Sequence, residues 1–357
     1  MTAGVAPVAV DAMGGDNAPA AIVQGAVDAA RKGRPVILVG PEERVRAELR
    51  RQRASAALPL AVRHAAEVVE MGDHPGRAMR RKKENSIRVC FELVKSGEAS
   101  AALSAGNSGA VMAGAVLVLR RAGAVERPAI LSVLPAVKGT PVMLDAGANV
   151  ECRPVHLVQF ALMGEVYSRR VLGVPRPRVA LLANGSERTK GTALTRAAAA
   201  ALERSALCFQ GYCEGHDLLE GEVDVVVTDG FTGNVALKTM EGTARAVGVL
   251  VREALRRDAP SKAGSILVRG ALAAMRKRVD WREVGGALLV GVNGVAVIAH
   301  GASDARAVSN AIERACEAAR ARCADEMAEA AGRSAELLAA AETQNTHGGR
   351  RRAPLEA

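Results

Sequence analysis

Four short stretches combine glycine with hydroxyl, amide and carboxylate side chains where an apolar run gives way to a helical pattern. They are Asp11-Ala12-Met13-Gly14-Gly15-Asp16, Ser104-Ala105-Gly106-Asn107-Ser108-Gly109, Asn184-Gly185-Ser186 through Lys190-Gly191, and Asp229-Gly230-Phe231-Thr232-Gly233-Asn234. Backbone N–H groups at a helix start, unobstructed by side chains, cradle anions. In an open parallel sheet the strand ends that carry such loops face one crevice, so the four are expected to converge on a phosphate or a phosphorylated group. One such loop alone would be read as steric, because glycine is common in strand-to-helix turns. Four in one chain favour a binding site. The candidate phosphate- or substrate-binding residues are Asp11, Gly14, Gly15, Asp16, Ser104, Gly106, Asn107, Ser108, Gly109, Asp229, Gly230, Thr232 and Gly233.

Better-known patterns do not fit the same letters. Neither Gly14-Gly15-Asp16 nor Gly106-Asn107-Ser108-Gly109 spells the dinucleotide fingerprint, and Gly185 to Gly191 lacks the hydroxyl residue after its lysine that a nucleotide P-loop needs. Ser108 misses the spacing of a nucleophile elbow. His64, His74, His156, His216, His300 and His347 show no metal-binding pairing, and Cys208, Cys213 and His216 would need a fourth ligand that the sequence does not offer. We therefore expect no metal, no cofactor and no covalent protein nucleophile. That expectation is coherent if the nucleophile is phosphate itself. With a second pKa of about 6, phosphate is largely dianionic at neutral pH and needs no strong base. The protein must hold it, aim it at a carbonyl and stabilise an oxyanion, which are tasks for lysine, asparagine and backbone N–H donors.

The elements that must position these loops follow from composition and periodicity. Hydrophobic residues make up 49% of the 357 and charged residues 24%, an ordinary globular balance with enough apolar surface for a large core. Aromatics are only 2%, with Trp281 the single tryptophan, so stacking on bases has little to work with. The net charge of +10 points to acidic partners: nucleic acid, an anionic membrane face, an acidic protein or phosphorylated substrates. Six scattered cysteines without close pairs fit a reducing cytoplasm. Met1 to Val10 lacks the basic start of a signal peptide, and the uncharged stretches 99–119 and 284–303 are interrupted by asparagine and glycine, so both are read as packed strand–loop elements.

Short β-branched runs alternate with helical patterns, as in a mostly parallel sheet. Strands are expected at 8–12, 35–40, 58–64, 99–103, 129–135, 142–145, 178–183 and 223–228, with one or two more around Asn293-Gly294. Helices are expected at 19–31, 41–53, 76–96, 108–121, 154–171, 191–204 and 234–257, and a long one at 303–338. No linker divides the chain. One interlocked α/β body over 1–340 is expected, with a helical protrusion at 245–280 and a disordered tail at 341–357.

Taken together and in order, Val8 to Pro19 (V-A-V-D-A-M-G-G-D-N-A-P), Ser104 to Ala110, Leu144 to Val150 (L-D-A-G-A-N-V), Val223 to Thr239 and the Gly285-Gly286 to His300-Gly301 segment resemble the PlsX phosphate acyltransferases from about Val8 to about Ala319. The resemblance implies a three-layer α/β/α sandwich similar to the phosphotransacetylase and isocitrate dehydrogenase folds, acting as a homodimer in the cytoplasm. It implies conversion of long-chain acyl carrier protein and inorganic phosphate to acyl-phosphate, which a membrane acyltransferase then uses to acylate glycerol 3-phosphate. It places the catalytic lysine on Lys190 and the catalytic asparagine on Asn234. Apart from the resemblance, these would read as a solvent-facing lysine beside a turn and a helix N-cap. The chain departs from the family at Ala183 and Ser186, where asparagine and an acid are usual, and at Ser108, where threonine is usual.

Two other readings compete. A phosphate acetyltransferase would share the fold and chemistry but use short acyl-coenzyme A. A nucleic-acid-binding protein is suggested by the charge and by Arg77, Arg80, Arg81, Lys82 and Lys83, yet no nucleic-acid motif supports it, so no nucleic-acid partner is expected. The basic run could equally be a solvated face or a landing site for the acidic carrier protein. The stretch Arg245 to Arg278 holds nine basic residues against two acidic ones, interleaved with apolar residues. It is expected either to rest peripherally on an anionic membrane or to form the dimer interface.

Overall fold

The structure, a computed structural model, describes residues 6–348. In chain order the elements are β1 (Val8–Asp11), α1 (Ala20–Arg31), β2 (Val36–Gly40), α2 (Glu42–Arg51), β3 (Leu60–His64), α3 (Pro75–Arg81), α4 (Ser86–Ser96), β4 (Ala101–Ser104) and α5 (Ser108–Val118). Next come β5 (Ala129–Val133), β6 (Val142–Leu144), α6 (Pro154–Arg170), β7 (Arg178–Leu182), α7 (Ala193–Leu202), β8 (Cys208–Cys213), β9 (Val225–Val227) and α8 (Gly230–Ala254). The chain ends with α9 (Ala259–Leu267), α10 (Arg269–Val279), α11 (Trp281–Val284), β10 (Ala287–Val290), β11 (Ala296–Ile298), α12 (Ala305–Ala321), α13 (Cys323–Gly332) and α14 (Ser334–Gly348).

Two compact units are built from alternating stretches of chain, Met1–Arg120 with Gly233–Arg322, and Arg121–Thr232 with Cys323–Ala357. No linker is legible between them because one boundary, between Thr232 and Gly233, falls inside helix α8.

In the first unit the strands run in the order β3-β2-β1-β4-β11-β10. All neighbours are parallel except the β10–β11 hairpin. In the second unit the order is β5-β6-β9-β7-β8, and only β5 is antiparallel to its neighbour. Successive side chains of a strand point to opposite faces. Every residue of β1, β4, β6 and β9 is buried, so both faces of these strands are covered, as in a three-layer α/β/α arrangement. This is why the strands read as unbroken apolar runs. Helix α1 buries Val23, Ala26, Val27 and Ala30 at helical spacing. Its Gly25 lets α12 approach closely, since a Cβ there would lie 2.5 Å from that of Val308.

The structure differs from the sequence expectations at several element ends. The helix expected over 76–96 is two helices, because Asn85 leaves helical geometry and caps α4 by accepting from the Arg88 N–H at 2.9 Å. The long helix expected at 303–338 is broken after Ala321, where Arg322 adopts a left-handed backbone (φ 48°). Strand β8 has no counterpart among the expected strands: its Cys-Phe-Gln-Gly-Tyr-Cys sequence lacks a β-branched run, and it lies at a sheet edge with most residues part-buried. Residues 341–348, expected in a disordered tail, continue α14, while the rest of that tail lies outside the described residues. Among the described residues no helix is long and apolar enough to cross a membrane.

Candidate active site

In the first unit three loops follow the carboxyl ends of the adjacent parallel strands β1, β4 and β11. Asp11, at the end of β1, is 1% exposed. It accepts from the Met13 N–H at 3.1 Å and from the Ser104 hydroxyl at 2.7 Å. Burial raises its pKa above the ordinary carboxylate value, opposed by these hydrogen bonds. Ser104 in turn accepts from the Gly106 N–H at 3.0 Å. The first two predicted loops are thus joined beneath their surface by side chains expected to contact the ligand.

Gly14 is held between them: a Cβ there would sit 2.6 Å from both Asp11 Oδ2 and the Gly106 nitrogen. Gly15 has φ +101°, and a Cβ there would lie 2.9 Å from the Gly301 carbonyl. Asp16 is exposed, and its N–H donates to the Gly301 carbonyl at 2.8 Å. Asn17, absent from the predicted set, reaches the Ser303 carbonyl at 3.2 Å and so ties the β1 loop to the β11 loop.

Asn107 is also spoken for. Its Oδ1 accepts from the Ala110 N–H at 3.0 Å as the N-cap of α5, and its Nδ2 donates to the carbonyls of Met71 at 2.9 Å and Asp73 at 3.1 Å. Gly109 meets Pro75, whose Cγ would be 2.7 Å from an added Cβ. The N–H groups of Ser108 and Gly109, in the first turn of α5, have no partner among the described residues, and Ser108 is exposed. Of the second loop, this first turn is what remains open to an anion.

In the second unit the carboxyl ends of β6, β9 and β7 lie side by side, each strand parallel to the next. The β6 loop carries Asp145, fully buried and outside the predicted site residues. Its oxygens accept from the N–H groups of Ile130, Gly147, Ala148 and Asn149 at 2.6 to 3.1 Å and from the Asn149 side chain at 2.8 Å. Burial is the main cause of its raised pKa. The anion in this nest of N–H groups is the protein's own carboxylate. The signal available was an Asp directly after an apolar strand, followed by glycine and asparagine.

Gly230, first residue of α8, lies against this loop. Its N–H donates to the Asn149 carbonyl at 2.8 Å, and a Cβ would be 2.7 Å from both the Asn149 nitrogen and Asp145 Oδ2. Asp229 caps the helix, accepting from the Thr232 N–H at 2.9 Å and its hydroxyl at 2.8 Å. Asn234 is therefore not the N-cap. It lies one turn along α8 with its side chain exposed, and buried Gly233 precedes it.

The loop after β7 is closed by its own residues. Asn184 Oδ1 accepts from the Gly191 N–H at 3.0 Å, and the Lys190 N–H donates to the Glu187 carbonyl at 2.9 Å. The Lys190 stem crosses Gly185, where a Cβ would be 2.7 Å from Lys190 Cγ. Its ammonium is 3.9 Å from the Glu187 carboxylate and the side chain 42% exposed. Ala183 continues the ladder by donating to the Cys213 carbonyl at 2.9 Å, and Ser186 is exposed. The departures at 183 and 186 thus leave a closed loop. Cys152, the thiol near Asp145, is pushed up to about 11 by burial and is no thiolate at neutral pH.

Solved structures share this fold. The EutD phosphotransacetylase from Staphylococcus aureus aligns with a TM-score of 0.56 at 17% identity, covering 89% of this chain and 95% of its own. The 4-hydroxythreonine-4-phosphate dehydrogenase from Klebsiella pneumoniae aligns at 0.54 and 17%, covering 89% and 99%. At such identities the likeness defines a fold class, that of phosphotransacetylases and related dehydrogenases. Sequence relatives go further. The fatty acid synthesis protein family matches residues 6–326. A phosphate acyltransferase of Anaeromyxobacter sp. (strain K) is 70% identical over 338 residues, 95% of this chain and 94% of the relative. One from Geobacter sulfurreducens is 53% identical over 314 residues, 88% and 90%. The chain belongs to this family of phosphate acyltransferases, enzymes of lipid biosynthesis.

Proposed function

We propose that the enzyme transfers the acyl group of a long-chain acyl carrier protein thioester to inorganic phosphate, and that the acyl-phosphate goes on to acylate glycerol 3-phosphate at a membrane enzyme. A phosphate oxygen attacks the thioester carbonyl, the C–O bond forms, and the C–S bond breaks to release the carrier thiolate. The reading is carried chiefly by Lys190, a half-exposed lysine on a loop closed by Asn184 and Gly191 at a strand carboxyl end. In this role Lys190 binds phosphate and meets the negative charge that develops on it. Asn234 orients the thioester carbonyl or donates to its oxyanion. In the first unit, free N–H groups on Ser108 and Gly109 beside the rigid loop around Asp11 suit a reaction that is mostly positioning. Lys190→Ala and Asn234→Ala are each expected to lower kcat by about 10²-fold or more with the fold intact. Near-normal turnover of either variant removes that residue from the mechanism. Faster turnover of acetyl-coenzyme A than of a long-chain carrier thioester favours a phosphate acetyltransferase instead.

The product of this reaction is amphipathic, and α8 to α10 offer a surface suited to its destination. Leu267 is 88% exposed, Ile266 66% and Leu250 63%, and α9 buries none of its residues. Exposed Arg245, Arg252, Arg256, Lys262 and Arg269 lie among them. Apolar side chains flanked by cations fit an anionic lipid surface, each cation near it contributing about 1 kcal/mol.

A further inference from the structure

A second basic surface has a different character. From Pro75 to Lys83 the chain carries five cations and no acid. Lys82 turns inward: its ammonium donates to Asp73 at 2.6 Å and to the Val68 carbonyl at 2.7 Å. Arg77, Arg80 and Arg81, spaced i, i+3 and i+4, fall on one face of α3. All three are exposed, as is Lys83, and none of the four makes an ion pair or side-chain hydrogen bond among the described residues. The opposite side of α3 buries Ala78 and Met79, and the Met79 methyl reaches Gly114 of α5. No exposed apolar residue lies on α3. Such a face suits a hydrophilic acidic partner, whereas a lipid surface needs the apolar side chains that α9 and α10 carry.

Its position adds a reason. The segment leading into α3 is fastened to the start of α5 by the two bonds from Asn107 to the Met71 and Asp73 carbonyls and by the contact of Pro75 with Gly109. Asp73 holds the segment together by also accepting from the Glu70 N–H at 2.9 Å. A protein bound on Arg77, Arg80 and Arg81 therefore stands beside the first turn of α5, whose Ser108 and Gly109 N–H groups are open. Nucleic acid has no need of that neighbour, but a carrier that must deliver a thioester does. We propose that this face of α3 is the docking surface for the acidic carrier protein that brings the acyl group. The inference rests on the functional reading above and adds the place of contact.

The test compares the full-length enzyme with the triple variant R77E/R80E/R81E on two substrates, a long-chain acyl carrier protein and the same acyl group on a small pantetheine thioester, across a range of salt. The expected result is a KM for the carrier substrate raised about tenfold or more, with its salt dependence flattened and kcat kept. The KM for the small thioester should move by less than about twofold, which also reports that the variant is folded. An unchanged carrier KM and salt slope overturns the surface alone. A wild-type enzyme that ignores the carrier but uses the small thioester overturns the functional reading, and the surface with it. Loss of nucleic-acid or vesicle binding in the variant, with the carrier KM unchanged, gives the face to another partner and also overturns the proposal.

Discussion

The hydroxyl of Ser104 donates to the buried Asp11 carboxylate at 2.7 Å while accepting from the Gly106 N–H at 3.0 Å, joining loops that lie 93 positions apart in sequence. Ser104→Ala leaves Asp11 buried with one donor fewer and the Gly106 N–H without its partner. The expected cost is about 1–3 kcal/mol in urea unfolding, together with a higher KM for phosphate as the two loops loosen. An unchanged midpoint and KM would show that the link does not hold the loops.

Gly230 has no room for a side chain, because a Cβ would lie 2.7 Å from both the Asn149 backbone nitrogen and Asp145 Oδ2. Gly230→Ala must push the start of α8 off the Asp145 loop, and Asn234 moves with the helix. A displacement of about 1 Å is enough to cost about 10²-fold in kcat. Circular dichroism that stays native while kcat falls is the expected pattern. Full activity in this variant contradicts the assigned geometry.

His156 supplies a pH dependence. It is buried at the start of α6, its Nδ1 accepts from the Arg153 backbone N–H at 3.1 Å, and its Nε2 faces Glu126 at 3.2 Å. Burial lowers its pKa below the ordinary value of 6.5, although Glu126 opposes this. As pH falls through 6.5 the unfolded chain takes up the proton first, so stability is lost on the acid side, by at most about 1.4 kcal/mol per pH unit. Above that value this contribution is fully present. His156→Gln should flatten this part of the stability profile, and equal acid slopes in the two proteins would refute it.

Changing Leu267 and Val268 to Ser removes exposed apolar surface from the end of α9 and the turn into α10. The wild-type protein should sediment with anionic vesicles and be released by high salt, and the double variant should bind them more weakly. No vesicle binding by the wild type at low salt rejects the membrane surface. Loss of a dimer in the variant assigns the segment to an interface between copies.

The sheet strands were legible because buried parallel strands must be apolar on both faces, as in Val8-Ala9-Val10 and Val225-Val226-Val227. Glycine positions were legible too, but what they approach was not. Nothing local shows that Gly14 meets Gly106 or that Gly230 meets Asn149. For the same reason the partners of Asp11 and Asn107, among them Met13, Ser104, Ala110, Met71 and Asp73, were not legible. Asn184 stands in the third loop, but its partner, the Gly191 N–H, becomes a neighbour only when the loop closes. Helix starts were misplaced where a cap precedes the periodic residues, as Asp229 does for α8.

The central claim is that phosphate is the acyl acceptor and that a carrier protein is the donor. Its most direct measurement is release of free carrier thiol from long-chain acyl carrier protein by the purified enzyme, with and without inorganic phosphate, in the presence of a chelator. Release that requires phosphate, forms acyl-phosphate in equal amount and persists with the chelator is the predicted result. Equal release in phosphate-free buffer would mark a thioesterase and contradict the account.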